Sequence, residues 1–114
     1  MLKIKRIYET ASSEDGKRIL VDRLWPRGIK KEDAEIDEWL KEIAPSDTLR
    51  KWFAHDPAKW QVFKTKYAHE IRVKSDLIER LRKESRKSTV TLLFSAKDSE
   101  HNNAVALKEI IEQL

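Results

Sequence analysis

The 114-residue sequence contains no cysteine. Disulfides, thiolate nucleophiles and cysteine-ligated metal sites are thereby excluded. Glycine is almost as scarce, with only Gly16 and Gly28. No Gly-rich phosphate-cradling loop exists, which argues against the standard nucleotide-binding motifs. No apolar run approaches the roughly 20 residues that span a bilayer. The start, Met1-Leu2-Lys3-Ile4-Lys5-Arg6, has no signal-peptide core. A cytoplasmic protein without membrane association is expected. A large excess of one charge is also missing: 24 basic and 20 acidic residues leave a net charge of +4. That excess is too small and too mixed for a strong nucleic-acid argument, and it supports a modest attraction to anionic ligands.

Charged residues, at 39%, are as frequent as hydrophobic ones. The apolar residues are nevertheless clustered and periodic, which argues for a folded core over disorder. The length suits one domain, 1–114. Leu2 to Ile7 alternates and reads as a strand near a sheet edge. Asp15-Gly16 marks a turn. Ile19-Leu20-Val21 is a short apolar run, as in a strand covered on both faces. Thr89 to Phe94 is rich in β-branched and apolar residues and reads as a third strand.

The roughly 65 residues between the second and third strands read mostly as helix. Ile36, Trp39, Leu40 and Ile43 fall at helical spacing, or form a short strand before a turn at Pro45. Ser46 or Asp47 caps a short helix with Leu49, Trp52 and Phe53. Asp56-Pro57 opens the helix whose apolar face is Trp60, Phe63, Tyr67 and Ile71. Ser75 or Asp76 starts another, with Glu79 in capping-box position, and it ends in the basic run Arg80 to Lys87. A final helix carries Leu107, Ile110, Ile111 and Leu114. Strand, strand, helices, strand, helix predicts an α/β fold: one small domain with a short, at least partly parallel sheet and helices packed on it.

Ligands in open α/β sheets bind beyond the carboxyl ends of the strands. Two loops qualify, one after Val21 and one after Phe94. If the two strands are parallel neighbours, both loops leave the same edge. The first loop is Asp22-Arg23-Leu24-Trp25-Pro26-Arg27-Gly28. Arg23 and Arg27 are planar donors for phosphate or carboxylate. Asp22 either orients an arginine or acts as a base. Trp25-Pro26 either makes a stiff stacking wall or packs inward. Gly28 allows a positive φ or a close approach to a ligand.

The second loop, Ser95 to Asn103, offers Lys97, His101 and Asn102, with a helix N-terminus to follow. Asp98 or Ser99 is a candidate cap, and His101 is either a general base or structural. His55, just ahead of Asp56, adds a third group. His55, His69 and His101 lack zinc spacing, so no metal and no cofactor are expected.

Three stretches, Arg18 to Glu32 (RILVDRLWPRGIKKE), Asp37 to Trp60 (DEWLKEIAPSDTLRKWFAHDPAKW) and Thr91 to Ile111 (TLLFSAKDSEHNNAVALKEII), resemble in the same order the YeaO-like proteins of the domain of unknown function 488 group. The resemblance covers almost the whole chain. It implies a small α/β domain whose biochemical activity is not established. Its motifs fall on Asp22, Arg23, Trp25, Pro26, Arg27 and Gly28, on Trp52, Phe53, His55 and Asp56, and on Lys97, Asp98, His101 and Asn102. Some members are labelled transcriptional regulators, but no helix-turn-helix is recognisable here.

The resulting expectation is a pocket for an anionic small molecule or nucleotide-like ligand. Arg23, Arg27 and Lys97 would bind it, with Trp25, Gly28, His55, Asp98 and Asn102 around it. Any hydrolase or transferase chemistry would use Asp22 or His101 as acid or base. The alternative is nucleic-acid binding without catalysis, on a continuous face of Arg23, Arg27 and the Arg80-to-Lys87 run.

Overall fold

The computed structural model describes residues 1–114. Four strands, β1 (Leu2–Arg6), β2 (Lys17–Leu20), β3 (Glu38–Trp39) and β4 (Val90–Phe94), form one sheet in the order β1-β4-β2-β3. Every pairing is parallel, with Leu2 opposite Val90, Lys17 opposite Val90 and Ile19 opposite Glu38. The helices are α1 (Asp47–Phe53), α2 (Trp60–Ile71), α3 (Ser75–Lys87) and α4 (Asn103–Glu112). The radius of gyration, 13.3 Å, is that of a compact domain of this length. No helix is long and apolar enough to cross a membrane.

Successive strand residues point to opposite faces, and this divides the core. Ile19, Val21, Val90, Leu92 and Phe94 join the main cluster with Phe63, Tyr67, Leu81 and Leu107 from the helices. Leu20 and Leu93 point the other way, where Ile7 packs with them beneath Trp25, Ile29, Ile36 and Trp39. The helices therefore cover one face, and the irregular chain between β2 and β3 covers the other. β4 lies between β1 and β2 and is buried along its whole length, while β1 is an edge strand as its lysines imply.

Residues 22–46 depart from the largely helical reading. They contain β3 and the single turns Lys31–Asp33 and Lys41–Ile43, but no α-helix. Parallel pairing with β2 prevails over the helical spacing: Asp37 N–H donates to Arg18 O at 2.8 Å and Leu40 N–H to Leu20 O at 2.9 Å. Trp39 Nε1–H donates to Asp22 O at 2.8 Å. The short-strand alternative is the one the chain adopts.

The helix starts are mixed in outcome. Ser46 Oγ accepts from Leu49 N–H at 3.1 Å and caps α1. Asp56 accepts from Ala58 N–H at 3.0 Å and caps the turn Pro57–Lys59 that feeds α2. The expected cap at Ser75 or Asp76 does not form. The chain passes from α2 through the turn Arg72–Lys74 directly into α3, and α3 has no side-chain cap. At α4 the cap is Asn102, which accepts from Val105 N–H at 3.0 Å, and neither Asp98 nor Ser99 fills that position.

The amino edge of the sheet is a structural knot. Buried Asp15 accepts from Arg18 at 2.6 Å, Lys5 at 3.1 Å and Ser12 N–H at 3.0 Å. Arg18 also donates to Glu35 O and Ala34 O, and so anchors the far end of the covering loop. Burial pushes the Asp15 carboxyl up, but the Ser12 N–H, Lys5 and Arg18 outweigh it and hold the group below the usual carboxylate range.

Candidate functional site

At the carboxyl edge, β2 and β4 deliver their following loops side by side. Asp22 is the first residue after buried Val21. Its Oδ2 accepts from Ser95 N–H at 2.9 Å and Ser95 Oγ–H at 2.7 Å. Its Oδ1 accepts from Asn103 Nδ2 at 3.1 Å, and the same amide donates to Val21 O at 2.9 Å. The two loops expected to share a site are thus tied through one carboxylate. All three donors are neutral, and Asp22 enters none of the ion pairs of the fold. Burial raises its pKa, and the Ser95 and Asn103 hydrogen bonds and the charge of His55 only partly oppose this.

Arg23 does not pair with Asp22. Its Nε donates to Pro45 O at 3.0 Å and its Nη2 to Ala44 O at 3.3 Å. These carbonyls are presented by a turn that α2 holds in place. Tyr67 Oη–H donates to Ile43 O at 2.6 Å, and Glu70 accepts from Ser46 N–H at 2.9 Å. Trp25 is fixed from behind: its Nε1–H donates to Ile29 O at 2.7 Å, and its ring meets Trp39 edge-on at 5.3 Å. It packs inward as well as lining the site.

Above Asp22 opens a cavity of about 660 Å³, within the size range of small-molecule sites. Its wall brings together Asp22, Arg23, Trp25, Arg27, His55, Lys97, Asp98 and Asn102 from the sequence reading. Gly28 and His101 are not on that wall. Gly28 turns the loop with φ +76° and has open space where a Cβ would stand. His101 faces elsewhere: Nδ1 lies 2.8 Å from Asp98 Oδ2, and the ring stands edge-on against Trp60 at 5.4 Å. The Glu100 N–H, followed by the His101 side chain, lowers the Asp98 pKa. Asp98 is then a carboxylate at neutral pH and assigns the proton to Nδ1 of His101. His55 is the imidazole at the cavity.

His55 reaches that position through strained backbone. Ala54 and His55 have φ +47° and +57°, successive left-handed conformations without glycine. Ala54 is the C-cap of α1, donating its N–H to Arg50 O at 3.0 Å. Glycine is the usual residue there. Non-glycine residues in this region commonly mark functional sites.

Arg6, Arg50 and Phe63 on the wall escape the sequence reading, whereas Phe53 falls in the motif beside His55. Arg6 ends β1 and donates Nε to Ala96 O at 3.0 Å, its guanidinium 4.5 Å above the Tyr8 ring. The carboxyl-edge rule, applied to all strands and not to two, points to it. Arg50 comes from α1, and Phe53 and Phe63, stacked at 4.3 Å, form an apolar side. Arg6, Arg23, Arg27, Arg50 and Lys97 outnumber Asp22 and Asp98 on the wall, with Arg50 also paired to Asp47 at 3.1 Å, so the wall is richer in cationic than in anionic side chains. No three His, Asp or Glu side chains converge as a metal site requires.

Across residues 1–114 the sequence matches the family described as the inactive DUF488-N3 subclade. The chain belongs to that family. It is 43% identical over 113 residues to a protein of Escherichia coli (strain K12) named "Uncharacterized protein YeaO", covering 99% of this chain and 98% of the relative. It is 36% identical over 110 residues to the Mycobacterium tuberculosis (strain H37Rv) "Uncharacterized protein Rv3073c", covering 96% of this chain and 92% of the relative. No solved structure matches. The DUF488-N3 match and the YeaO relative both span the cavity-forming loops.

The basic run of α3 is separate from this site. It leads into the amino end of β4, whereas Arg23 and Arg27 lie beyond the carboxyl ends of the strands. Arg80 pairs with Glu38 at 2.8 Å and Arg82 with Glu79 at 3.2 Å. The run and the loop arginines therefore lie toward opposite ends of the strands.

Proposed function

We propose that the chain binds an anionic small molecule, of phosphate or nucleotide type, in the cavity between the 22–28 and 95–103 loops. The observation that carries this reading is the excess of cationic side chains around one concave, partly apolar cavity. Arg27 and Lys97 are exposed and enter no ion pair, so they are available to an anion. Arg6 and Arg23 are held along one edge by carbonyls, which places their remaining N–H groups without freezing out their charge. The description of the family as inactive favours binding without turnover. Asp22 and His55 then serve recognition, and not acid–base chemistry.

Thermal unfolding with inorganic phosphate and pyrophosphate, at low and at physiological salt, tests the reading. Binding stabilises the native state by about 2.7 kcal/mol at a hundredfold excess over Kd. The Tm rise is expected to shrink with salt and to be lost in the combined Arg27→Ala, Lys97→Ala variant. Absence of any shift at low salt, or a shift that the double variant retains, rejects it.

A further inference from the structure

Resting on that reading, a deeper one concerns the end of the ligand remote from its anionic group. Asp22 is unexpected on the wall of an anion site: a part-buried carboxylate whose pKa burial raises, with no cationic side chain paired to it. A binder of simple anions gains nothing from it, because a carboxylate on the wall repels phosphate. A carboxylate offers about four acceptor positions. Three are filled, two on Oδ2 by Ser95 and one on Oδ1 by Asn103. The remaining acceptor position is on Oδ1 of a residue that lines the cavity.

We infer that the ligand is a phosphorylated sugar, whose hydroxyl donates to Asp22 Oδ1 while its phosphate lies among Arg27, Lys97 and the neighbouring arginines. A hydroxyl suits the position better than an ammonium group. Arg6, Arg23, Arg27, Arg50 and Lys97 share the wall and would repel a cationic ligand end. A hydroxyl brings a donor without charge, and a carboxylate acceptor makes that hydrogen bond a charge-assisted one. The same pairing of carboxylate with ribose hydroxyl recurs in dinucleotide sites of unrelated sequence. Phe53, Phe63 and Leu24 supply the apolar wall for the carbon skeleton, and the volume of about 660 Å³ admits a sugar phosphate with or without an attached base.

Calorimetric titration of the intact chain with inorganic phosphate, ribose 5-phosphate, 2-deoxyribose 5-phosphate, AMP and 2′-deoxy-AMP tests this. Ribose 5-phosphate is expected to bind about tenfold or more tightly than inorganic phosphate, and at least one ribo compound about tenfold more tightly than its deoxy analogue. That preference is expected to collapse in Asp22→Asn. Equal binding of phosphate and all the sugar phosphates overturns the hydroxyl assignment while the anion site stands. A ribo preference unchanged in a folded Asp22→Asn protein overturns it equally. Failure of every one of these anions, phosphate included, to bind at low salt removes the anion site as well. The ligand series uses the unaltered protein, so the outcome does not depend on the variant folding. Tighter binding of AMP than of ribose 5-phosphate would identify the base-bearing form, and equal binding the plain sugar phosphate, within the same class.

Discussion

Replacing Ala54 by glycine should stabilise this protein and weaken the proposed anion site. Ala54 has φ +47° and ψ +37° at the C-cap of α1, and His55 follows at φ +57°. The left-handed conformation costs an L-residue about 1–2 kcal/mol through the clash of Cβ with the following carbonyl. Glycine removes that clash, but its freer unfolded chain takes back about 0.4–1 kcal/mol. Ala54 is exposed, so little apolar burial is lost with its methyl group. The balance is a net gain of about 0.5–1 kcal/mol, or about 2–5 °C in Tm for a domain of this size. Urea unfolding should show a higher midpoint with the slope unchanged, which separates a native-state effect from a change in the unfolded ensemble. The same substitution frees the segment that presents His55 to the cavity, so phosphate affinity should fall while stability rises. An unchanged or lower midpoint would show that the left-handed turn stores no strain. A higher midpoint with undiminished affinity would separate the strain from the site.

Two other predictions concern the glycines and Asp22. A Cβ on Gly16, at φ +62°, would lie 2.2 Å from Thr89 O and 2.9 Å from Thr89 Cβ, whereas one on Gly28 would meet nothing within 4 Å. Gly16→Ala should therefore cost about 3 kcal/mol or more by displacing the start of β4, and Gly28→Ala only about the 1–2 kcal/mol of a left-handed residue; chemical denaturation giving equal losses would refute the distinction. Burial holds the pKa of the Asp22 carboxyl in the folded protein above the usual carboxylate value of 3.8. The native state then holds this proton more tightly than the unfolded chain does, so stability from this group falls as pH rises through the raised pKa. Asp15 and Asp98, with lowered pKa values, act in the opposite sense. The stability difference between the protein and Asp22→Asn isolates Asp22: it should shift in favour of the asparagine variant as pH rises from below 3.8 to neutrality, and a pH-independent difference would contradict the burial of an unpaired carboxylate.

The fold was legible where one force dominates a segment. Residues Thr89 to Phe94 are apolar and β-branched, which reads as a strand, and its place between β1 and β2 comes from the sheet. The meeting of the two distant loops is conditional on a parallel pairing of the second and third strands of the sequence reading, and β2 and β4 do pair in parallel. Ile36, Trp39, Leu40 and Ile43 were ambiguous because β3 is two residues long, too short to display an alternation. The helical spacing there is real, but the backbone donors of Asp37 and Leu40 find partners on β2. The missing α3 cap has a similar cause. A Ser-Asp start signals a free helix end, and here the preceding helix turns into it without a break.

Within the site, side-chain type was legible and partnership was not. Arg23 and Asp22 are adjacent in sequence, and adjacency suggests an ion pair. Their partners lie far along the chain: Arg23 reaches carbonyls 21 and 22 positions away, and Asp22 reaches donors 73 and 81 positions away. The outcome reverses the roles that composition suggests. The arginine is fixed by backbone, and the acid is the group left with an open acceptor. By holding Ser95 and Asn103, Asp22 also ties the end of β2 to the start of α4, so one part-buried carboxylate shapes the cavity whose wall it lines. Its burial without a cation is unfavourable for the fold, whereas a hydroxyl donor arriving with a phosphate would relieve it. If the proposed ligand binds there, stability and recognition are opposed at this residue, as they are at Ala54, whose left-handed backbone carries His55 to the cavity.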